Sequence, residues 1–388
     1  MIKYLDQLEK DDLKGKKVLL RLDLNVSVAD GKVVDQFRLE KIIPTIDFLR
    51  EHDAQTIIIS HAENKEGQNE SLLTVWNYLK GYFPVEFCPT YFTPEAIDKL
   101  LKMQDKDVLL FENVRNNMGE KENNPEFAKK LAQMADIYVN DAFGVSHRQH
   151  ASIVGVPQFL PHYGGLLMRQ EIEHLSRIFN PQHPFVFILG GAKFDTKLPL
   201  IKKYLEKADH VFVGGALAND IFKARGYEVG TSLVSKAAFD TSILENPKLV
   251  LPIDVTVTKD DKSVSFKKPN EVKSDECIVD AGPETIEQLK NLCNDAHSTS
   301  SGQAKTVVWN GPLGNYEKGF GDKTESLAEI IVEMTKNDIE TIIGGGDTLA
   351  SIHKLGLNDS FTFISTGGGA MLDFLVNETL PGLRALEK

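Results

Sequence analysis

The sequence predicts an α/β protein of two doubly wound parallel-sheet domains. Three observations carry that prediction. The chain has 388 residues, and a typical domain takes about 100–200, so two domains are the default. Short apolar runs alternate with longer amphipathic stretches almost from end to end, the pattern of a parallel sheet flanked by helices. That alternation restarts after residue 180, with no linker rich in Gly, Ser or Pro between the halves.

In the first half KKVLLRLDL, TIIIS, DVLLFE and IYVNDAF read as strands, separated by helix-like stretches such as RLEKIIPTIDFLREH and PEFAKKLAQMA. In the second half FVFILGG, HVFVGG, LVLPIDVTV, TVVWNG, ETIIGGG and FTFISTGGG read as strands. Each is too short for a helix, and each is apolar nearly throughout, as a strand covered on both faces must be. Between the halves, GGLLMRQEIEHLSRIF (164–179) predicts one long amphipathic helix, so the joint is a stiff element. The polar stretch 259–276 reads as a surface excursion, and HSTSSGQ (297–303) as a loop.

Apolar residues make up 41% of the chain and charged residues 26%, enough to build real cores. No run approaches the ~20 apolar residues that span a bilayer, so no membrane partner is expected. The charged N-terminus has no apolar segment of the kind a signal peptide carries. Cys88, Cys277 and Cys293 are scattered without metal-ligand spacing and fit a reducing cytoplasm. A net charge of −12 argues against a nucleic-acid partner, because no basic footprint matches a phosphate backbone. An acidic chain still binds anions where its cations converge. Seven of the nine arginines precede residue 180.

Chemistry gathers at the predicted strand ends. In the second half the clusters are Gly190-Gly191, Gly214-Gly215, Gly311, Gly344 to Gly346 and Gly367 to Gly369. In an open α/β sheet ligands bind at that edge, where glycine lets a phosphate approach the backbone and the next helix offers free N–H groups. GGAKFDTK adds Lys193 and Lys197, four apart at a helix start. There they repel each other and oppose the helix dipole unless an anion is present. In GGGDT, Asp347 and Thr348 suit helix capping, and Asp347 also suits a phosphate-bound Mg²⁺. Glu317 is a candidate for ribose hydroxyls. GxxxxGK[ST] is absent, and no clean GxGxxG follows a strand, so neither the P-loop nor the dinucleotide fingerprint is supported.

In the first half RLDLNV places Asp23 and Asn25 two apart in a strand, hence on one face. Arg38, His61, Arg115 and Arg148 all fall at or just past strand ends. Convergent arginine forks suit carboxylate and phosphate. His147 and His150 in HRQH read as structural.

RLDLNV, VLLFENVR, VNDAFGVSHRQHAS, ILGGAKFDTK, TVVWNGPLG, IGGGDT and STGGGAMLDFL stand in the order and spacing of phosphoglycerate kinases, and the closing LPGLRAL resembles the end of that family. The resemblance covers essentially the whole chain. It implies two Rossmann-like domains with a cleft between them that closes by a hinge. Residues 1–163 with the tail 374–388 would form the 3-phosphoglycerate-binding domain, 164–179 the interdomain helix, and 180–373 the nucleotide-binding domain. It implies reversible phosphoryl transfer between ATP and the carboxylate of 3-phosphoglycerate, with Mg²⁺, by a cytoplasmic monomer. Arg38 and Lys197 would be catalytic. Asp23, Asn25, His61, Arg115 and Arg148 would join Arg38 on the acid. Gly191, Lys193, Lys197, Gly215, Gly282, Asn310, Pro312, Glu317, Gly345, Gly346, Asp347 and Thr348 would hold the nucleotide, with Asp347 toward the metal.

This chain departs from the family pattern in one loop. SHAENKEG (60–67) replaces the usual SHLGRP, which puts Asn64 where the family has an arginine. Lys65 is a speculative substitute, a point charge in place of a fork. Asn116-Asn117 and Ser27 are further departures. Weaker 3-phosphoglycerate binding than in a typical family member is the expectation. The rivals are an acyl-phosphate kinase with a different acid substrate and an inactive binding or scaffold relative.

Overall fold

A computed structural model describes residues 1–64, 66–235, 241–259, 263–294 and 304–387. The chain forms two compact units, Met1–Glu173 with Asn377–Lys388, and His174–Val376. A helix, α2, runs Leu166–Arg177, and the division between the two units falls within it.

The first unit is built on strands β1 (Lys17–Arg21), β2 (Gln55–Ile59), β3 (Glu86–Cys88), β4 (Val108–Phe111), β5 (Ile137–Asn140) and β6 (His162–Gly164). They pair in the order β3-β4-β2-β1-β5-β6, all parallel. Side chains alternate between the two faces of this sheet. Val18 and Leu20 of β1 pack with Ile58 and Leu110 in one core, while Leu19 packs with Ile57, Leu109 and Tyr138 in another. Both faces are therefore buried, which is why these strands read as continuous apolar runs. Each such leucine or isoleucine contributes about 1.5–3 kcal/mol by burial. The helix α1 (Phe37–Glu51) covers one face through Leu39, Ile42, Ile46 and Leu49. The C-terminal helix Pro381–Leu386 seats Leu386 in the other core.

The second unit repeats the plan with β7 (Phe185–Leu189), β8 (His210–Val213), β9 (Leu249–Val250), β13 (Thr306–Asn310), β14 (Glu340–Gly344) and β15 (Phe363–Ile364). Their order is β9-β8-β7-β13-β14-β15, again all parallel. Chain order reverses between β7 and β13, and the loops leaving these two strands flank the point where such sheets bind ligands. The other strands of this unit, β10 (Val255–Thr258), β11 (Val264–Lys267) and β12 (Cys277–Ala281), form an antiparallel sheet in the order β11-β10-β12.

That small sheet corrects two expectations. LVLPIDVTV is two strands in two different sheets, because Pro252 lies between them and has no N–H for a ladder. The polar stretch 259–276 is exposed over 264–266 but forms the strand β11 there, paired with β10. The expected loop 297–303 lies outside the described residues. A third correction concerns Asp23 and Asn25. The strand ends at Arg21, so both belong to the segment leaving it, at the ligand edge.

Candidate functional site: two half-sites at the strand ends

One half-site lies in the first unit, where chain order reverses between β1 and β5. Arg21 ends β1 fully buried. Its Nε donates to Ser152 Oγ at 2.9 Å, and Ser152 in turn donates to the buried Glu120 at 2.6 Å, so one serine links two opposite buried charges. A buried charge without such a partner costs several kcal/mol, which accounts for the linkage. Past the strand, Asp23 accepts from Arg38 Nη1 at 3.1 Å, and the same nitrogen donates to the Asn25 carbonyl at 2.8 Å. Two acceptors from one loop thus aim Arg38 at the sheet edge. Asn25 Oδ1 accepts the Glu63 N–H at 2.9 Å and ties this loop to the one after β2.

His61 is buried, and its pKa is held well below the usual value by burial first and then by the charges of Arg21, Arg115 and Arg38. His150 is pushed down to about 4 by burial and by Arg115, Arg21 and Arg148. Both rings are neutral at pH 7, so the positive charge of this edge belongs to the arginines. Four guanidiniums act on these two rings, the convergence expected of an anion site. Arg148 is exposed, and Arg115 is buried in an ion pair with Glu63. Asn64 turns its own loop: its Oδ1 accepts from Gln68 N at 2.8 Å and its Nδ2 donates to Gln68 Oε1 at 3.0 Å. Lys65 lies outside the described residues.

The other half-site lies in the second unit, at the ends of β7 and β13. Gly190 N donates to the Asn310 carbonyl at 2.9 Å and Gly191 N to the Pro312 carbonyl at 2.8 Å, zipping the loops after β7 and β13 together. Gly311 sits at φ 100°, and a Cβ there would stand 2.4 Å from the Gly190 oxygen, so glycine is obligatory on both counts. Lys197, in the first turns of the helix α3 (Phe194–Lys207), donates to that same Gly190 oxygen at 2.6 Å. It is 7% exposed, and burial lowers its pKa to about 8, with Asp347 pulling up and Lys193 pushing down. Thr348, in the first turn of α4 (Gly346–Lys354), accepts from Gly311 N at 2.9 Å. Asp347 beside it is exposed.

A cavity of about 510 Å³ opens next to this knot, within the range of small-molecule sites. Gly191, Gly215, Pro312, Glu317 and Asp347 line it, as does the antiparallel sheet through Val255 and Val279. Lys197, Asn310, Gly345 and Thr348 belong to the knot behind its rim. Lys193 is exposed just ahead of α3, and Gly346 opens α4. Gly282 does not line the cavity. Its N–H donates to the Asp254 carbonyl at 3.0 Å, and a Cβ there would fall 2.1 Å from that carboxyl carbon, so its smallness serves packing.

Sequence reasoning passed over several residues. Arg21 and Glu120 matter through Ser152, and Glu63 through Arg115. Asp280 lines the cavity, with burial raising its pKa to about 7, and Asn219 lines it at 2% exposure. A charged residue inside an otherwise apolar strand was the available signal for Arg21 and Asp280. Asn219 had none.

A family model described as phosphoglycerate kinase matches residues 7–378. The chain belongs to the phosphoglycerate kinase family. It is 40% identical to a phosphoglycerate kinase of Thermosipho africanus over 97% of this chain and 96% of that protein. It is 39% identical to one of Dictyoglomus turgidum over 99% of each. Among solved structures, the phosphoglycerate kinase of Coxiella burnetii superposes with a TM-score of 0.81 at 36% identity, covering 100% of this chain and 98% of that one. The phosphoglycerate kinase of Pyrococcus horikoshii gives 0.87 at 29% identity with the same coverage. The chain is a phosphoglycerate kinase-type transferase with two parallel-sheet α/β domains, and a nucleotide is one of its substrates. Among the described residues no helix is long and apolar enough to cross a membrane.

Proposed function

We propose that the acid binds the first unit and MgATP the second, and that phosphoryl transfer is assisted by Arg38 from the acid side and Lys197 from the nucleotide side. A carboxylate oxygen of 3-phosphoglycerate attacks the γ-phosphorus of ATP. A new P–O bond forms, the bond to the bridging oxygen breaks, and ADP leaves with the electron pair. No proton needs to move, so the protein supplies alignment and positive charge in place of acid–base work. Arg38 and Lys197 neutralise the oxygens of the moving group, and the N-termini of α3 and α4 lie beside the glycine knot to assist. Arg115 and Arg148 hold the acid, with neutral His61 as a hydrogen-bonding wall. Glu317 takes the ribose end, and Gly191, Gly215 and Pro312 flank the nucleotide.

Among the described residues no group of three His, Cys, Asp or Glu is placed to hold a metal by itself. The exposed carboxylate of Asp347 fits a Mg²⁺ that arrives on nucleotide phosphates. That ion supplies charge neutralisation of the phosphates. The three cysteines are free, which supports a reducing compartment, and we place the protein in the cytoplasm as a monomer.

The observation that carries this reading is Lys197, a buried ammonium at the switch point of a nucleotide-type sheet with Asp347 beside it. Calorimetry tests the assignment. Lys197→Met should weaken MgADP binding and leave 3-phosphoglycerate binding alone, and Arg115→Ala should do the reverse. Exchanged or shared effects would refute it.

A further inference from the structure

The loop after β2 places a carboxylate on the acid half-site. Glu63 Oε2 pairs with Arg115 Nη1, and Oε1 accepts from Lys121 Nζ at 2.7 Å. The Arg115 side chain is 6% exposed and that of Glu63 21%, so the pair is largely shielded from solvent. Glu63 is held in place from two directions. Its N–H donates to Asn25 Oδ1, and its backbone bridges to Asn69 across the loop. Burial works to raise its pKa, but the Lys121 hydrogen bond and the Arg115 charge outweigh it and bring the group below the usual carboxylate value. It is therefore ionised across the physiological range.

A carboxylate and a phosphate make the same demand on a guanidinium: two oxygens for two N–H groups. Arg115 Nη1 already gives one arm of its fork to Glu63 Oε2, a residue of its own chain, while Arg115 Nε has no partner. We infer that Glu63 is a specificity-determining residue of the acid half-site, its carboxylate occupying one arm of the Arg115 fork and weakening selection for an acid that carries a phosphate group. The inference rests on the reading of Arg115 as an acid-binding residue. A phosphate arriving at this edge must displace Glu63 from Arg115 or share the guanidinium with it. Sharing sets like charges side by side, and displacement forfeits a shielded ion pair. An acid with one negative charge suffers less from either.

Glu63→Gln removes the charge and keeps the shape and the backbone contact to Asn25. The KM for 3-phosphoglycerate should fall about tenfold, equivalent to 1.4 kcal/mol, with the KM for ATP unmoved. The gain should vanish when Glu63→Gln is made in an Arg115→Ala background, since the two residues form one coupled unit. Glu66→Gln, an equal charge change at an exposed neighbour, should give no such gain. An unchanged or raised KM in Glu63→Gln, a gain that persists without Arg115, or an equal gain from Glu66→Gln would overturn the inference while leaving the acid half-site standing. If Arg115→Ala alone left the KM for 3-phosphoglycerate unchanged, the acid-site reading itself would fall, and the inference with it.

Discussion

Replacing Lys197 with methionine should make the second unit more stable and the enzyme nearly inactive. The stability side follows from burial. An ordinary lysine titrates at 10.5, and Lys197 is lowered to about 8. A tenfold weakening of proton binding is worth about 1.4 kcal/mol, so holding the ammonium charged below pH 8 costs roughly 3 kcal/mol. Methionine keeps most of the apolar stem and removes that cost. It also leaves the Gly190 carbonyl without its 2.6 Å donor, a loss of about 1–2 kcal/mol. The net gain near pH 7 is then about 1–2 kcal/mol, a rise of several degrees in the unfolding temperature of a unit this size. The sign with pH is also specified. Between pH 8 and 10.5 the unfolded lysine binds a proton that the folded one does not, so wild-type stability rises with pH through that window. The variant should lack this rise. Activity should fall about 10²–10³-fold, as when one charge-stabilising donor is removed from a transition state. Scanning calorimetry from pH 7 to 10.5 is the assay. A variant that melts lower than wild type and keeps the wild-type pH slope would show that burial does not strain this ammonium.

Three further outcomes are expected. Arg38→Ala should lower kcat by about 10²-fold or more, whereas Asp23→Ala, which removes an acceptor of Arg38, should cost less; steady-state kinetics at saturating substrates separates them. Asp347→Asn should weaken MgADP binding about tenfold or more while leaving 3-phosphoglycerate binding intact, as read by titration calorimetry. Gly165→Ala should destabilise the first unit by about 1–3 kcal/mol through overpacking, because its Cβ would stand 2.2 Å from the Asp141 carboxyl carbon; thermal unfolding checks it.

The parallel sheets were legible because a strand buried on both faces must be apolar throughout, and runs such as FVFIL have no other reading at that length. The glycine clusters were legible because phosphate sites and tight strand exits both need them. Much of the remainder depends on pairings between residues far apart in the chain. Ser152 meets Arg21 across 131 positions, and nothing local to either residue announces the meeting. Glu63 is one more charge in a polar loop of the sequence, and only the fold sets it against Arg115. The small antiparallel sheet was hidden for a different reason. Pro252 cut an apolar run into strands of two sheets, and the exposed β11 carries no burial signal. Gly282 is a glycine at a strand exit that lies outside the cavity lining and whose smallness admits Asp254.

Everything proposed for the two half-sites converges on one reaction, the placing of a phosphoryl group on the carboxylate of 3-phosphoglycerate. Purified protein, MgATP and 3-phosphoglycerate, coupled through reduction of the acyl phosphate by NADH, test it directly. NADH oxidation should require all three components, be lost in both Arg38→Ala and Lys197→Met, and not be matched by other small carboxylic acids at equal concentration. No acyl phosphate from the wild-type protein, or full activity in both variants, would contradict it.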